Sequence, residues 1–259
     1  MIEVHNLTFG YSATEDGQIL KGVDFAAKTG KLTALIGTNG AGKSTLLKTI
    51  MGILKGKGEI SVNGKPVSQY STKDFSSTVS YLSQDNDCKV NLSVFEVVML
   101  GRMGSMSFRV SDEDIAATQE VLERLNLQRF ASRSIMELSG GQRQLVFMAQ
   151  ALVKEPKILI LDEPTSALDL HKQFDLLTLL KNLTQENDFT TLVTLHHLDL
   201  AAMFADEIIV LKEGTVYAQG APKDIFTEAM MEDVYRVKTK IYMDGNGLPH
   251  VIPLEAIIN

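Results

Sequence analysis

A glycine-rich segment near the start of the chain has the residue types and spacing to hold phosphate groups. It fits the pattern GxxxxGK[ST] and consists of Gly37, Thr38, Asn39, Gly40, Ala41, Gly42, Lys43, Ser44 and Thr45. Glycines let the backbone curl so that successive N–H groups point inward, and the positive N-terminal end of a following helix favours an anion there. We expect Lys43 to reach the β- and γ-phosphates of a nucleotide and the Ser44 hydroxyl to ligate Mg²⁺.

Two adjacent acids follow a second apolar run. Residues 158–161 are Ile-Leu-Ile-Leu and lead directly into Asp162 and Glu163. Asp162 at a strand end can hold Mg²⁺, commonly through water, and Glu163 is then placed to orient or deprotonate an attacking water. Alone, such a pair is equally typical of a solvated turn; behind a phosphate-binding loop it favours hydrolysis.

A third segment offers a second anion site. Ser139 is a good helix N-cap, Gly140 and Gly141 expose backbone N–H groups, and Gln142 opens a run of helical spacing. Taken by itself, this segment indicates no more than a helix cap and a flexible turn.

These segments need a frame that ends strands and begins helices beside them. Apolar runs predict strands at Leu32–Ile36, Lys157–Leu161, Thr190–Leu195 and Glu207–Leu211. Helical spacing predicts helices at Ser44–Leu54, Phe174–Leu183 and Leu198–Phe204. This alternation predicts an α/β fold: a P-loop core on a mainly parallel sheet.

Two further parts surround that core. Alternating residues at Met1–Phe9 and Val23–Ala27, with a hairpin turn at Asn63–Gly64, predict a small antiparallel β lobe. Helical patterns, including a capping box at Ser111–Asp114, predict an inserted α-helical lobe at 85–154. We therefore expect one domain over 1–220, with its nucleotide-binding core at 1–84 and 155–220, and a C-terminal tail at 221–259 packed on the core.

Composition excludes several classes of protein. A net charge of −7 gives no general attraction to nucleic acid. The one cysteine, Cys88, excludes a disulfide scaffold and fits a reducing compartment. The N-terminus lacks the pattern of a signal peptide, and the apolar runs fall far short of the ~18 residues that span a bilayer. We expect a cytosolic chain that docks on something membrane-embedded.

The motifs together resemble a known family. GTNGAGKST at 37–45, LSGGQ at 138–142, ILILDEP at 158–164 and SALD at 166–169 are similar, in order and spacing, to the ATPase subunit of ATP-binding-cassette (ABC) transporters. The resemblance covers about residues 1–220 and implies ATP and Mg²⁺ as cofactors. It implies that Tyr11 stacks on adenine, that Gln84 contacts Mg²⁺ and reports to the membrane partner, that Asp169 belongs to the loop after the acids and that His196 is the switch histidine.

The histidine register needs a choice, because the family usually reads His-Asp-Leu where this chain reads His196-His197-Leu198. The apolar run that leads in and the leucine that follows favour His196 as the switch. His197 then stands in place of the usual aspartate, and the local hydrogen bond of that aspartate is in question.

The resemblance also implies partners. Each ATP would lie between the P-loop of one protomer and the LSGGQ segment of another, so we expect an ATP-sandwiched homodimer. The segment Val98–Arg102 and the tail around residues 247–253 are similar to importers of iron chelates, haem and cobalamin, although Met103-Gly104 replaces a proline frequent in that group. We expect two transmembrane permease subunits, an extracytoplasmic binding protein, and a peripheral location on the cytoplasmic membrane face.

Two alternatives stay open. The first is an ABC ATPase that serves cofactor or cluster assembly without transport. The second is a nucleic-acid-linked ABC protein, which should carry coiled-coil insertions or tandem cassettes that this chain lacks. The sequence does not name the transported solute, the permease, a role for His197, or the ATPase rate and its coupling.

Overall fold

The predicted phosphate-binding loop joins a buried strand to a helix, as its proposed role requires. The computed structural model describes residues 1–12, 17–84, 91–103 and 110–258. They form two units, Met1–Gln69 with Leu177–Asn259, and Tyr70–Leu176. Cys88 lies outside the described residues.

The strands are β1 (Ile2–Gly10), β2 (Gln18–Ala27), β3 (Lys31–Ile36), β4 (Lys57–Val62), β5 (Lys65–Pro66), β6 (Val79–Leu82), β7 (Ile158–Leu161), β8 (Thr190–Thr194), β9 (Glu207–Lys212), β10 (Thr215–Gly220), β11 (Val237–Met243) and β12 (Pro249–Ala256). The helices are α1 (Lys43–Ile50), α2 (Thr72–Thr78), α3 (Val94–Met99), α4 (Asp112–Arg124), α5 (Gly140–Leu152), α6 (Leu170–Glu186), α7 (Leu198–Phe204), α8 (Pro222–Ile225) and α9 (Glu228–Met230). Within the described residues, none of these helices is long and apolar enough to cross a bilayer.

The first unit contains the two-stranded sheet β11-β12 and strands of two larger sheets. One is antiparallel with the order β2-β1-β4-β5, which is the small β lobe expected from the sequence. In the other, β3 runs parallel to β8 on one side and to β9 on the other, and β10 extends it antiparallel to β9. Every residue of β8, and all of β3 after Lys31, is buried. Burial on both faces explains why these strands contain aliphatic residues and threonine but, after Lys31, no charged residue.

The second unit carries the other parallel pair and the helical lobe. Strands β6 and β7 pair in parallel, with Val79 opposite Ile158 and Leu82 opposite Leu161. Helices α3, α4 and α5 pack on one another in this unit. The predicted α/β class, with a mainly parallel sheet, a small antiparallel lobe and an inserted helical lobe, is confirmed.

Each helix of this lobe begins with a capping box, in which a serine and a residue three positions later satisfy each other's backbone N–H groups. The pairs are Ser93 with Glu96, Ser111 with Asp114, and Ser139 with Gln142. Such caps stabilise a helix start by about 1 kcal/mol. They fix where α3, α4 and α5 start.

Helix α1 is shorter than its apolar spacing predicts. The sequence predicts a helix through Leu54, but α1 ends at Ile50. Gly52 adopts φ 70°, the left-handed conformation that commonly follows a helix, and the N–H of Ile53 bonds the Lys48 carbonyl across the end. The glycine therefore stops the helix although apolar residues continue beyond it.

Candidate functional site

The phosphate-binding loop lies in the first unit, at the carboxyl end of β3. Gly37 is buried and has φ 146°. A side chain at this position would place its Cβ 2.2 Å from the Leu211 carbonyl oxygen, so only glycine fits. The carboxyl ends of parallel strands are where ligands bind in folds of this class.

Lys43, at the C-terminal end of the loop, forms hydrogen bonds to the residues at the start of the loop. Its side chain is almost fully buried, and its ammonium donates to the carbonyl oxygens of Gly37 at 2.7 Å and Thr38 at 3.0 Å. The six residues between β3 and α1 are thereby closed into a ring around one cation. The cation is at the mouth of α1, where phosphates bind in loops of this pattern.

The start of α1 suits an anion. Its N-cap is Gly42, with φ 103° and no capping side chain, and its first turn contains no acidic residue. The first backbone N–H groups of a helix have no partner within the helix. Ser44 and Thr45 are half-buried in this turn, where a hydroxyl can serve a metal ion bound to the same phosphates. The residues present thus fit a nucleotide phosphate with its metal.

A second loop supports the first. The N–H of Gly214, in the turn between β9 and β10, donates to the Ala41 carbonyl at 3.1 Å. Gly214 has φ 83°, and a Cβ there would lie 2.0 Å from the Ile19 carbonyl oxygen. Sequence analysis did not single out Gly214, because a glycine after a strand indicates only a turn.

The two acids lie in the second unit, at the carboxyl end of β7. Asp162 is buried, and its N–H donates to the Leu82 carbonyl at 2.8 Å, so it continues the β6–β7 pairing. Glu163 is half-buried and has φ 51°, a left-handed conformation that is uncommon for a residue with a side chain. Such strain clusters at functional positions.

Gln84 lies beside Glu163. Its side-chain amide donates to Glu163 Oε2 at 2.9 Å. Because β6 and β7 are parallel neighbours, the residues that follow them emerge at the same end. The structure thus brings together two residues that the sequence separates widely.

The LSGGQ segment forms the start of α5. The Ser139 hydroxyl accepts from the Gln142 N–H at 3.3 Å, and the Gln142 side chain accepts from the Ser139 N–H at 2.9 Å. A Cβ at Gly141 would come within 2.9 Å of the Ala167 carbonyl oxygen, whereas Gly140 faces open space. Gly141 is therefore required by packing, and Gly140 leaves the helix start accessible.

Asp169 lies just before α6, in the second unit. It is exposed, and its carboxylate accepts from the Lys172 N–H at 3.0 Å and pairs with the Lys172 ammonium at 2.9 Å. These contacts lower the pKa of Asp169.

Tyr11 and His196 lie in the first unit. Tyr11 is 72% exposed and packs edge-on against Phe9, with ring centroids 5.0 Å apart. Exposed His196 follows β8, and exposed His197 is the N-cap residue of α7, without a side-chain capping bond.

A groove of about 310 Å³ opens in the second unit. Its described lining residues include Tyr81, Ser83, Leu100, Gly101 and Phe147. At its wall, the Lys154 ammonium donates to the Ser76 carbonyl and, at 3.0 Å, to the Val79 carbonyl. Burial lowers the pKa of Lys154. Ser83, the residue before Gln84, also lines the groove.

Two features define a P-loop nucleotide hydrolase. One is a strand, loop and helix around a buried lysine, and the other is a pair of acids at the end of a parallel strand. The family described as "ABC transporter" matches residues 20–166, which is more than half of the 259 residues. The chain belongs to this family, and the predicted class of ATP-binding ABC ATPase is confirmed.

Curated relatives match nearly the whole chain. The iron(3+)-hydroxamate import ATP-binding protein FhuC of Bacillus subtilis is 37% identical over 246 residues, covering 94% of this chain and 90% of FhuC. The ferric enterobactin transport ATP-binding protein FepC of Escherichia coli is 35% identical over 252 residues, covering 96% and 92%.

Solved structures agree. An inward-facing metal-chelate type ABC transporter superimposes with a TM-score of 0.83 at 29% identity, covering 98% of this chain and 97% of the other. A dimeric, post-hydrolysis cassette bound to ADP and Pi, MJ0796, superimposes with a TM-score of 0.77 at 29% identity, covering 85% and 98%.

Proposed function

We propose that this chain is the ATP-hydrolysing subunit of a binding-protein-dependent importer for iron chelates, haem or cobalamin. One observation carries the importer assignment. The similarity to FhuC and FepC extends over almost the full chain, beyond residues 20–166 that match the family. The domain boundaries given above, with the core at 1–84 and 155–220 and the tail at 221–259, belong to the same proposal.

In this proposal, MgATP binds on the loop 37–45. Tyr11 supports adenine, Lys43 contacts the β- and γ-phosphates, and Ser44, Gln84 and Asp162 hold Mg²⁺. When bound, the metal neutralises phosphate charge that builds up as the terminal phosphoryl group leaves. The start of α1 supports this proposal, because it contains the buried Lys43 and has no acidic residue in its first turn.

Glu163 takes the role of general base in this scheme. Its carboxylate orients the attacking water and accepts its proton as the water oxygen bonds to the γ-phosphorus and ADP leaves. Gln84 holds that carboxylate in place through its side-chain amide. His196 contacts the γ-phosphate from the end of β8.

The chain works as a homodimer. The start of α5, with Ser139, Gly140, Gly141 and Gln142, faces the ATP of the other protomer. Asp169, in the loop after the two acids, also takes part in nucleotide binding. Accessible Gly140 and a helix of 13 residues behind it suit this role. The ADP-bound dimeric relative supports the assembly.

The groove in the second unit of each protomer receives a short helix of one permease subunit, on the cytoplasmic face of the membrane. Leu100 and Phe147 offer it apolar surface, and Lys154 offers a positive charge to an acidic side chain of that helix. Met103, which is 44% exposed and follows the lining residue Gly101 by two positions, is the further apolar residue that we assign to this surface. The crowding of Met and Phe in this stretch of the sequence makes Met106 and Phe108 further candidates for this surface; both lie outside the residues that the structure describes.

Photo-crosslinking from position 103 in membranes tests this partner, and substrate uptake tests the importer. We expect a crosslink to a multispanning membrane protein. Leu100→Glu and Met103→Glu should lower uptake of a ferric siderophore or cobalamin at least fivefold while basal ATPase activity persists. Ile53→Glu, another exposed apolar residue, is the matched control and should leave uptake intact.

The opposite outcome favours the alternative. Crosslinks to proteins of the aqueous phase only, together with unchanged uptake when the gene is deleted, would indicate an ABC ATPase of cofactor or cluster assembly. The binding protein outside the membrane touches the permease and enters this proposal only through transport.

A further inference from the structure

The segment Gly101-Arg102 directly follows the last turn of α3. The N–H groups of Gly101 and Arg102 bond the carbonyls of Val98 and Met99 at 2.9 and 3.0 Å, so the chain leaves the helix in a tight turn. Leu100 and Gly101 line the groove of the second unit. Arg102 is therefore the next residue in the chain after the surface proposed for the permease.

Gly101 brings the end of α3 into direct contact with α5. A Cβ at this position would lie 2.3 Å from the Gln150 carbonyl oxygen and 2.6 Å from Val153 Cγ1. The position has no space for a side chain, so the backbone after α3 lies directly against α5. Gln150 also lines the groove, so this contact is part of the groove wall.

The guanidinium group of Arg102 holds the same junction together. Its Nε donates to Asp114 Oδ1 at 2.7 Å, and its Nη1 donates to the Val153 carbonyl at 3.3 Å. Asp114 lies in the first turn of α4, and Val153 is the C-cap residue of α5. One side chain, 20% exposed, thus joins the end of α3, the start of α4 and the end of α5. The guanidinium suits this junction because its N–H donors point in fixed, divergent directions.

These bonds set the spacing between two residues of the groove. Leu100 lies two positions before Arg102, and Lys154 directly follows Val153. Leu100 and Lys154 are the apolar residue and the cation that the permease helix is proposed to contact. Without the bonds from Arg102, the end of α3 is free to shift against α5, and the distance between Leu100 and Lys154 is no longer fixed.

The junction lies far from the part of α5 that is proposed to serve ATP. Arg102 bonds the C-terminal end of this helix, whereas Ser139 and Gln142 cap its start. A helix of 13 residues is about 20 Å long. A shift at Val153 should therefore affect the groove more than the LSGGQ segment. This difference separates a role in docking from a general role in folding.

We propose that Arg102 is a positioning residue for permease docking. By joining α3, α4 and α5 at one end of the groove, it presents Leu100 and Lys154 at the spacing that the permease helix requires. The inference rests on the proposed importer function and gives the Gly101-Arg102 segment a role in it. The glycine allows the close approach of α3 to α5, and the arginine holds it.

Arg102→Ala tests this role in the full chain. A photo-crosslinking amino acid at position 147, on the α5 wall of the groove, reports docking from outside the junction. We expect crosslinking to the permease in membranes to fall about five- to tenfold, the order of one lost hydrogen bond between charged groups. Uptake of an iron(3+)-hydroxamate or of cobalamin, whichever the wild type imports, should fall with it. Basal ATPase activity and the Kd for MgADP should stay close to wild type.

Arg124→Ala is the matched control. It removes an arginine from the same lobe, where Arg124 forms an exposed ion pair with Glu120 within α4, and it should leave crosslinking and uptake unchanged. Asp114→Asn is a second, milder variant, which removes the charge that Arg102 binds and keeps an oxygen for the helix cap. Its crosslinking should fall about twofold or more.

Three results would overturn the role of Arg102 while the importer proposal stands. They are unchanged crosslinking in Arg102→Ala, an equal loss in Arg124→Ala, and a parallel fall of basal ATPase activity, which would indicate a role in folding alone. If Arg102→Ala does not fold, Asp114→Asn decides by the same criteria. Absence of any permease crosslink from the wild-type chain overturns the importer proposal itself, and this inference with it.

Discussion

The side-chain amide of Gln84 donates a 2.9 Å hydrogen bond to the carboxylate of Glu163. The two residues follow parallel strands whose last residues, Leu82 and Leu161, lie opposite each other. Ser83, between β6 and Gln84, lines the groove proposed for the permease. One peptide link, from Ser83 to Gln84, and one side-chain hydrogen bond therefore connect the partner surface to the residue proposed as catalytic base.

Glu163→Gln tests that base. The glutamine oxygen can still accept from Gln84, so the site keeps its shape, but the residue no longer takes a proton. We expect ATP binding to persist and turnover to fall by about 10²- to 10⁴-fold, the usual contribution of a positioned base. Steady-state ATPase assays measure the loss, and size-exclusion chromatography with ATP should show a trapped dimer. Turnover near wild type would remove Glu163 from this role.

Lys43→Ala tests the phosphate-binding loop. It deletes the cation and both of its bonds to loop carbonyls, so nucleotide affinity should fall about 10- to 100-fold, as expected for hydrogen bonds from a charged group. Titration with MgADP measures the change. Lys48→Ala, in the last turn of the same helix, should bind like wild type. Equal affinity in both variants would contradict the loop assignment.

Two single substitutions test which of the adjacent histidines, His196 or His197, is the switch residue. His196→Ala should abolish most ATPase activity, because it removes the proposed contact to the γ-phosphate. His197→Ala should have a mild effect, since His197 makes no side-chain cap on α7. Steady-state ATPase assays of the two single variants decide the question, provided that both variants have the same melting temperature. The reverse ranking would show that the switch lies one residue later.

Asp114 gives a prediction for pH. A hydrogen bond from Arg102 has the largest effect on the pKa of its carboxyl, and bonds from Ser111 add to it. Together they lower this pKa from an ordinary 3.8 to about 2. A carboxyl with a depressed pKa stabilises the folded chain fully above its unfolded pKa and loses this effect as the pH falls through the folded value. Asp114→Asn should therefore lower the melting temperature at pH 7, with a gap to wild type that narrows from about pH 4 toward pH 2.

Thermal unfolding at several pH values measures that gap. Asp112→Asn removes another carboxylate from the first turn of α4, so it controls for the general effect of a negative charge at a helix start. A gap for Asp114→Asn that stays constant with pH would mean that its charge contributes nothing.

The sequence was most informative where one local rule determines the structure. Runs of apolar and β-branched residues located β3, β7, β8 and β9 to within about a residue, and the capping box at Ser111–Asp114 is present. It was least informative for β6 and α2. Ser80 is buried in β6, and its hydroxyl donates to the Ala151 carbonyl at 2.6 Å. A satisfied buried serine interrupts the apolar pattern, so the strand left no clear signal.

The site divides in the same way. Motif spacing identified the loop, the two acids and LSGGQ, because each is a contiguous string. The Gln84–Glu163 bond and the bond from the Gly214 N–H to the Ala41 carbonyl join distant parts of the chain. Such contacts depend on which strands are neighbours in the sheet, which periodicity does not reveal.

The left-handed backbone at Glu163 has a consequence for laboratory evolution. A residue with a side chain loses about 1 to 2 kcal/mol in that conformation relative to glycine. A library of this chain selected for heat resistance alone should therefore enrich glycine at position 163, and asparagine after it. The same selection would discard the group proposed to activate water, so resistance to heat and turnover are opposed at this one codon.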